Sequence, residues 1–485
     1  MKDIEEKLKE FEPIFYPQSI AVAGASADPR KMGSQWVTGL LAAGFKGDIY
    51  PVNPVGGEIS GLKIYPNLRA LPRPVDLVIV CIPRQFVLNL LDDCATSGVK
   101  AVHFFTAGFR ETGDPEWIRV EEEMVEKARQ GKFRIIGPNC IGIYCPERRI
   151  PYGPSSLLGP PGTVGFISQS GGHAGKLLEI GLSRRINFSK VVSLGNGSDL
   201  DSVDFLEYLA VDPKTAIIGA YLEGTRDGRR LLRTIRTVSS TKPTIVWKGG
   251  RTEAGAEAAS SHTGALAASA AVWSAALKQA GVIEVQGLEE LADTLLLFQQ
   301  LGRLEGNNVG IVCGLTDGGG GESVLTGDAC ATFGLNVPPF SEKTKAQLTG
   351  LLGQVGSVLR NPLDISQSYG NTQIVEQVME LVVRESHLDL IIVYENVDIL
   401  LRFLSAEITE IMNNFFIGFH RRQSKPIVVV LPRGSKEEER MEIEDKFSRE
   451  GIPVYPTIER AARAIALVTR YYSRLHKGST EKSRQ

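Results

Sequence analysis

The chain alternates short runs of β-branched residues with amphipathic stretches of helical length. In its first third these runs are SIAVAG, DIYPVN, DLVIVCIP, KAVHFF and FRIIGPN. A strand that is buried on both faces appears in the sequence as such a run. A helix must return the chain before the next parallel strand starts. The alternation therefore predicts an α/β fold of doubly wound parallel sheets.

Two further series of the same kind follow. TVGFIS, KVVSLG, AIIGAYLE, PTIVWKGG and VIEV form the second, and NVGIVCG, DLIIVY, PIVVVLP and IPVYP form the third. A chain of 485 residues accommodates about three domains of roughly 100–200 residues each. We predict three α/β domains over residues 1–150, 151–302 and 303–475, and a polar tail at 476–485.

Composition excludes several classes of protein. Lys and Arg number 54 against 56 Asp and Glu, so no nucleic-acid partner is expected. The longest apolar stretches, such as Leu77 to Ile82, are far shorter than the roughly 18 residues of a membrane span. The six cysteines form no Cys-x-x-Cys pair, and the opening MKDIEEKLKE is not an apolar leader. These features predict a cytoplasmic protein that does not cross a membrane.

Open parallel sheets bind ligands in the loops at the carboxyl ends of their strands. The first such loop contains Gly24, Ser26, Arg30 and Lys31, and the following helix begins near Gly33. A glycine turn lets backbone N–H groups approach a phosphate at a helix N-terminus, and the basic pair suits a ligand with several phosphates. We predict a phosphate-rich ligand here; a plain surface turn is the alternative.

The same loop argues against a dinucleotide. It does not match Gly-x-Gly-x-x-Gly, and the second strand ends at Asn53 without a carboxylate for a ribose. An NAD-dependent dehydrogenase is therefore the weaker reading.

Two later strand ends add candidate ligand residues. Ile82 and Pro83 follow DLVIVC and offer a flat apolar ledge for an adenine ring. A turn that merely ends the strand explains them equally well. Asn139 and Cys140 end another strand in GPNC. Taken alone, Cys140 reads as a buried thiol rather than a nucleophile.

The segment ISQSGG turns from a strand into a helix. Its hydroxyls and N–H groups predict a second anion site, formed by Ser168, Gln169, Ser170, Gly171 and Gly172. Ser170 does not lie in Gly-x-Ser-x-Gly, and the segment lacks the P-loop pattern. Serine-hydrolase chemistry is disfavoured, and the chain contains no recognisable nucleoside-triphosphate site.

The candidate catalytic residues are His262 and Glu223. His262 lies among small residues in AASSHTGA, which suits a side chain that must visit two sites. Glu223 follows the strand AIIGAYL and offers a carboxylate that can accept one imidazole N–H, leaving the other nitrogen nucleophilic. An ordinary loop histidine and a solvated glutamate are the alternatives. We predict no metal site on this chain.

Together and in this order, the segments resemble the alpha subunit of ADP-forming acetate–CoA ligases and, more distantly, of succinyl-CoA synthetase. The resemblance runs from Phe15 to about Tyr472. SSHTGALA resembles the phosphohistidine loop around His262, YLEG places Glu223 at the acid that orients it, and ISQSGG resembles the helix N-terminus that receives the phosphohistidine. GAS, VNP, CIP and GPNCIG resemble the CoA site, with Cys140 near the thiol end.

This resemblance implies a fold and an activity. The fold is a Rossmann-like CoA-binding domain followed by two flavodoxin-like domains. The activity interconverts acyl-CoA, ADP and phosphate with a small carboxylic acid, CoA and ATP, through acyl phosphate and phosphohistidine. The ATP or ADP and its Mg²⁺ belong to an ATP-grasp beta subunit in an alpha2beta2 assembly, whose domains this chain lacks.

The sequence departs from the family at two places. Asp317 and Glu322 stand near a helix N-terminus of the third domain, where acids compete with a bound anion. His173 stands where the family has a small residue. A CoA-binding regulatory or scaffold protein without turnover is the alternative, which the two acids favour and the intact His262 and Glu223 disfavour.

Overall fold

The computed structural model describes residues 4–155, 157–257, 269–314, 316, 320–353, 359–422 and 425–482. The chain divides into two compact units. The first is Met1–Leu182 with Ile186–Leu291, and the second is Ser183–Arg185 with Ala292–Gln485. Among the described residues, no helix combines the length and the apolar character that crossing a lipid bilayer requires.

The first sheet of the first unit is parallel, and its segments are strongly apolar. Its strands and a small hairpin are Ser19–Ala23 (β1), Asp48–Val52 (β2), Glu58–Ile59 (β3), Leu62–Lys63 (β4), Leu77–Val80 (β5), Ala101–Phe104 (β6) and Arg134–Ile136 (β7). The helices are Ile4–Phe15 (α1), Met32–Ala43 (α2), Val87–Thr96 (α3) and Pro115–Gly131 (α4). The strand order is β2-β1-β5-β6-β7, and β3 pairs only with β4.

The second sheet repeats this order with one added strand. Its strands are Ile143–Tyr144 (β8), Val164–Ser168 (β9), Phe188–Ser193 (β10), Ile217–Leu222 (β11), Thr244–Lys248 (β12) and Ile283–Val285 (β13). Its helices are Gly171–Arg184 (α5), Ser202–Val211 (α6), Gly228–Ser239 (α7), Ala270–Ala280 (α8) and Leu288–Leu301 (α9). The order is β13-β12-β11-β9-β10-β8, with β8 antiparallel to β10.

The second unit contains the third sheet. Its strands are Val309–Cys313 (β14), Leu363–Asp364 (β15), Leu390–Tyr394 (β16), Ile427–Val430 (β17) and Val454–Tyr455 (β18), in the order β15-β14-β16-β17-β18. Its helices are Gly320–Thr332 (α10), Glu342–Leu352 (α11), Thr372–Val383 (α12), Val397–Phe403 (α13), Ala406–Arg422 (α14), Glu437–Arg449 (α15) and Ile458–Lys482 (α16).

These sheets confirm the predicted doubly wound α/β folds. Each β-rich run named above forms a strand, and each sheet has its first strand between the second and the third of its parallel series. Among the described residues, the strands that the sequence missed are the two-residue strands β3, β4, β8 and β15, which are too short to show a pattern. The boundaries at residues 150 and 302 stay predictions. Helix α16 continues to Lys482, through most of the segment expected to be a polar tail.

A polar network joins the first two sheets inside the first unit. The Glu121 side chain is 1% exposed, and its carboxylate accepts hydrogen bonds from Arg110 Nε (3.2 Å), Asn196 Nδ2 (2.7 Å) and Ser198 Oγ (2.5 Å). Helix α1 adds apolar contact, because Phe11 stacks on Tyr208 of α6 at 4.6 Å. The loops of both sheets are therefore held in fixed relation.

A buried ion pair supports the second sheet. Lys190 of β10 donates to Asp212 at 2.7 Å, and the two side chains are 1% and 3% exposed. Thr215 also donates to Asp212. Removing one member of such a pair leaves an uncompensated charge in the protein interior.

We therefore expect Asp212→Ala to lower the free energy of unfolding by about 3–5 kcal/mol. All four tryptophans, Trp36, Trp117, Trp247 and Trp273, lie in the first unit, so their fluorescence during urea denaturation follows that unit. The control is Glu179→Ala, which removes the solvated partner of Lys176 and should cost less than about 1 kcal/mol. Equal urea midpoints for the two variants would contradict the expectation.

Candidate functional site

A cavity of about 1270 Å³ opens at the carboxyl ends of the strands in the first unit. It is lined by the loops that follow β1, β2, β5, β6 and β7, together with the loop before α5. Strands β1 and β5 are neighbours at the point where the strand order reverses, so the loops that follow them diverge and leave a crevice.

The structure brings the two predicted ligand sites into this one cavity. The predicted residues that line it are Gly24, Ser26, Lys31, Asn53, Ile82, Pro83, Asn139, Cys140, Gln169, Ser170, Gly171 and Gly172. Arg30 and Ser168 are not among its lining residues. The binding roles of all these residues stay predictions.

The floor of the cavity depends on a close backbone approach at Gly24. This residue has φ +95°, and a Cβ atom placed on it would lie 2.4 Å from the carbonyl oxygen of Cys81. The N–H of Cys81 donates to Ala23 O at 2.8 Å, which fixes the two strand ends together. Only glycine fits at this position, so backbone rather than side chain faces the cavity.

The two basic residues of the first loop differ in their surroundings. Arg30 donates to both carboxylate oxygens of Asp28 at 3.0 Å, and its side chain is 88% exposed. These hydrogen bonds hold the pKa of Asp28 below its ordinary value. Lys31 lines the cavity instead. The structure thus offers Lys31, and not Arg30, to a ligand in the cavity.

Burial favours the un-ionised form of the two thiols in the cavity wall. Burial raises the pKa of Cys81 to about 12 and also raises that of Cys140. The Cys140 thiol lies 3.5 Å from the carbonyl oxygen of Phe104, to which it donates. Cys140 is buried, as its sequence context suggested, and its place at the thiol end of a CoA site stays a prediction.

The Asn139 turn is fixed by the loops that follow β6 and β10. Asn139 has φ +60°, and its N–H donates to Thr106 O at 3.0 Å. Gly195, which follows β10, lies so close that an added Cβ would be 2.2 Å from Pro138 O. The backbones of the segments that follow β7 and β10 therefore lie in close contact at the wall of the cavity.

The loop before α5 is shaped by its own hydroxyls. Ser168 Oγ donates to Ser170 O at 2.6 Å and accepts from the N–H of Ser170 at 3.1 Å, which places it inside the turn. Ser170 Oγ accepts from the N–H of His173 at 3.3 Å. The first N–H groups of α5 lie at the cavity. An anion is favoured at this end of the helix.

Glu223 is linked to this loop through its backbone. The Glu223 N–H and the Gly224 N–H both donate to Oε1 of Gln169, a residue that lines the cavity. Lys248 Nζ donates to the carbonyl oxygen of Glu223 at 2.7 Å. Burial lowers the pKa of Lys248, and the Glu223 carboxylate opposes that shift. Within the described residues, Oε2 of Glu223 is buried and has no hydrogen-bond partner.

Several cavity residues were missed by the sequence reading. Phe86 and Asn89 follow β5, Thr106 follows β6 and Gly195 follows β10. Thr106 Oγ1 donates to Ile82 O at 2.7 Å and so ties two of the loops together. Their position in the sequence could have identified them, because each of these residues follows the carboxyl end of a predicted strand.

Two sequence predictions lie outside the described residues. His262 belongs to 258–268 and Asp317 to 317–319. Glu322, the second acid of the third domain, lies in the first turn of α10, as predicted.

Two family models match the part of the chain that contains the first two sheets. A CoA binding domain matches residues 18–146, and a succinyl-CoA ligase like flavodoxin domain matches residues 161–298. The first matched segment carries the Gly24 loop and the second carries the loop before α5. The predicted Rossmann-like and flavodoxin-like folds are confirmed.

Similar proteins cover almost the whole chain. Acetate–CoA ligase [ADP-forming] I subunit alpha of Pyrococcus furiosus is 35% identical over 95% of this chain and 97% of its own length. Acetate–CoA ligase [ADP-forming] I of Archaeoglobus fulgidus is 34% identical over 95% of this chain, which spans 63% of that protein.

A solved structure agrees with these sequence relatives. The dinucleotide forming acetyl-coenzyme A synthetase 1 of Ca. Korarchaeum cryptofilum, in complex with phosphate and ADP, has a TM-score of 0.83 and 32% identity. The match covers 97% of this chain and 98% of that one. The resemblance stated from the motifs is confirmed: this chain belongs to the family of the alpha subunits of ADP-forming acetate–CoA ligases.

Proposed function

We propose that this chain is the alpha subunit of an ADP-forming acyl-CoA synthetase. It interconverts acyl-CoA, ADP and phosphate with a carboxylic acid, CoA and ATP. The observation that carries the proposal is the single cavity lined by both the Gly24 loop and the loop before α5. A phosphate-rich thioester and an inorganic phosphate meet there, as the first chemical step requires.

In the first step a phosphate oxygen attacks the thioester carbonyl carbon. The C–S bond breaks, CoA leaves as a thiolate, and the proton of hydrogenphosphate ends on the thiol. The N–H groups at the start of α5 suit this step because they stabilise the phosphate charge without any covalent role. The neutral thiol of Cys140 takes no part in it.

In the second step an imidazole nitrogen of His262 attacks phosphorus. The P–O bond breaks, and the carboxylate leaves with the electron pair. The other ring nitrogen keeps its proton and donates a hydrogen bond to the Glu223 carboxylate. In the third step the P–N bond breaks as an oxygen of ADP takes the phosphoryl group. The assignment of His262 depends on the loop sequence and the family.

The nucleotide-binding parts of the enzyme belong to a partner subunit. We propose an ATP-grasp beta subunit that binds the nucleotide with Mg²⁺, in an alpha2beta2 assembly in the cytoplasm. The Pyrococcus furiosus protein is named a subunit alpha, and this chain spans only 63% of the Archaeoglobus fulgidus protein. Both facts support the proposal that the complete enzyme has a further component besides this chain. The named ligases among the relatives favour this reading over a scaffold without turnover.

The CoA site is tested at Lys31. We expect Lys31→Glu to weaken CoA binding by about 1–3 kcal/mol, the range for a charge-assisted contact with phosphate. The matched control is Arg30→Glu, because Arg30 is paired with Asp28 and does not line the cavity. Calorimetric titration with CoA measures both variants. Equal affinity of Lys31→Glu and wild type would show that Lys31 does not contact the CoA phosphates.

The partner is tested by reconstitution. The rigorously purified chain should make no acyl-CoA from acid, CoA and ATP, since its sequence lacks a triphosphate site. Turnover should appear when the ATP-grasp subunit is added, as measured by thioester formation. Robust turnover by the single chain would contradict the proposal that the nucleotide site belongs to the beta subunit.

The phosphoenzyme is tested at His262 and Glu223. Labelled ATP with magnesium and the beta subunit should phosphorylate this chain with an acid-labile, base-stable linkage. His262→Ala should abolish the label and the turnover. Glu223→Gln should slow phosphorylation by about 10²–10⁴-fold, because the orienting charge is lost. Both variants should bind CoA normally. Normal turnover by His262→Ala would refute the phosphohistidine mechanism.

A further inference from the structure

Ile141 lies where the two predicted ligand sites of the cavity meet. It follows Asn139 and Cys140 of the predicted CoA site, and it lines the cavity together with Gly171 and Gly172 at the start of α5. A Cβ atom placed on Gly171 would be 2.6 Å from Cγ1 of Ile141, so the isoleucine side chain packs directly against the backbone of this glycine. The predicted CoA site and the predicted phosphate site therefore share this side chain as part of their wall.

The surrounding chain holds this part of the wall in place. The N–H of Ile141 donates to Ser193 Oγ at 3.3 Å, and Cγ2 of Ile141 lies 3.1 Å from the position of a Cβ atom on Gly153. The hydroxyl of Tyr152, a buried residue, donates to the carbonyl oxygen of Gly171 at 2.8 Å. Because the isoleucine and the glycine on which it rests are both fixed, the wall cannot yield to a bulky group without strain.

The proposed first step brings the acyl group to this wall. A phosphate oxygen must come within about 3–3.5 Å of the thioester carbonyl carbon before it attacks. With the phosphate at the start of α5, that carbon lies beside Gly171. The alkyl chain attached to it is then within contact distance of Ile141, which packs against the same glycine.

We propose that Ile141 limits the size of the acyl group and so selects short, unbranched aliphatic acids, and this inference rests on the proposed function. A short straight chain fits beside the isoleucine, whereas a branch next to the carboxyl group meets its side chain. Ile141 takes no part in the bonds made and broken. It is a specificity-determining residue and not a catalytic one.

A role in packing alone is the alternative for Ile141. If its side chain only supported the fold, shortening it would lower the amount of folded enzyme and affect every acid alike. If its side chain limits the acyl group, shortening it affects acids of different size unequally. The ratio of kcat/KM for two acids separates these roles, because the concentration of folded enzyme cancels from the ratio.

The test measures thioester formation from acetate and from isobutyrate, with CoA, ATP, magnesium and the beta subunit. We expect Ile141→Ala to raise the ratio of kcat/KM for isobutyrate to that for acetate by at least about 10-fold, since a single methylene group in an apolar pocket already has an effect of that order. Ile141→Phe should lower the same ratio. Ile141→Val, which removes one methylene group, replaces the alanine variant if that protein does not fold, and it should shift the ratio in the same direction.

The matched control is Ile82, a second isoleucine of the cavity wall. Its Cγ2 lies 3.2 Å from the position of a Cβ atom on Gly24, so it packs against the glycine of the first loop as Ile141 packs against Gly171. Ile82→Ala removes the same carbon atoms from the predicted adenine ledge. It should raise the KM for CoA and leave the ratio between the two acids unchanged.

The outcomes separate the inference from the function on which it rests. A wild-type chain that labelled ATP never phosphorylates and that forms no thioester refutes the proposed function and the inference with it. A wild type that is phosphorylated but accepts neither acid refutes only the inference, because the substrate is then not a short aliphatic acid. An active wild type with an unchanged ratio in Ile141→Ala also refutes the role of Ile141. If Ile82→Ala shifts the ratio as far as Ile141→Ala does, the cavity has merely loosened and the inference is wrong.

Discussion

The cavity exists because two neighbouring strand ends approach each other with backbone alone. A Cβ atom on Gly24 would lie 2.4 Å from Cys81 O, and one on Gly195 would lie 2.2 Å from Pro138 O. A side chain at either position would push apart the loops that form the floor and the wall. Small residues also leave N–H groups accessible, which is what a phosphate needs. The ligand site thus depends on steric exclusion before it depends on charge.

The buried polar network between the first two sheets keeps these approaches in place. Glu121 receives hydrogen bonds from Asn196 and Ser198, which lie in the segment after β10, and from Arg110, which lies between β6 and α4. Gly195 stands directly beside that segment. A carboxylate with several hydrogen bonds at such a junction fixes the relative position of two sheets more narrowly than apolar packing does, because hydrogen bonds are directional.

The cavity cysteines are shielded by burial, whereas Glu223 is held in place by hydrogen bonds to its backbone. Burial raises the pKa of the Cys81 and Cys140 thiols, which favours their un-ionised form. Glu223 is held through its backbone, by Gln169 on one side and Lys248 on the other. Phosphoryl transfer needs this kind of positioning more than it needs covalent help.

The sequence by itself determined the strands, the strand-end loops and the family, because β-branched runs, glycine turns and short motifs are local signals. It could not show that Arg30 turns to Asp28 while Lys31 faces the cavity, since the two residues are adjacent and chemically alike. It could not show that Ser168 lies inside its turn, or that Thr106 and Gly195 line the site. His173 was visible only as a departure from the family. Its surroundings come from Tyr221 and Trp247, about 50 and 75 positions along the chain, which only the parallel pairing of β11 and β12 brings together.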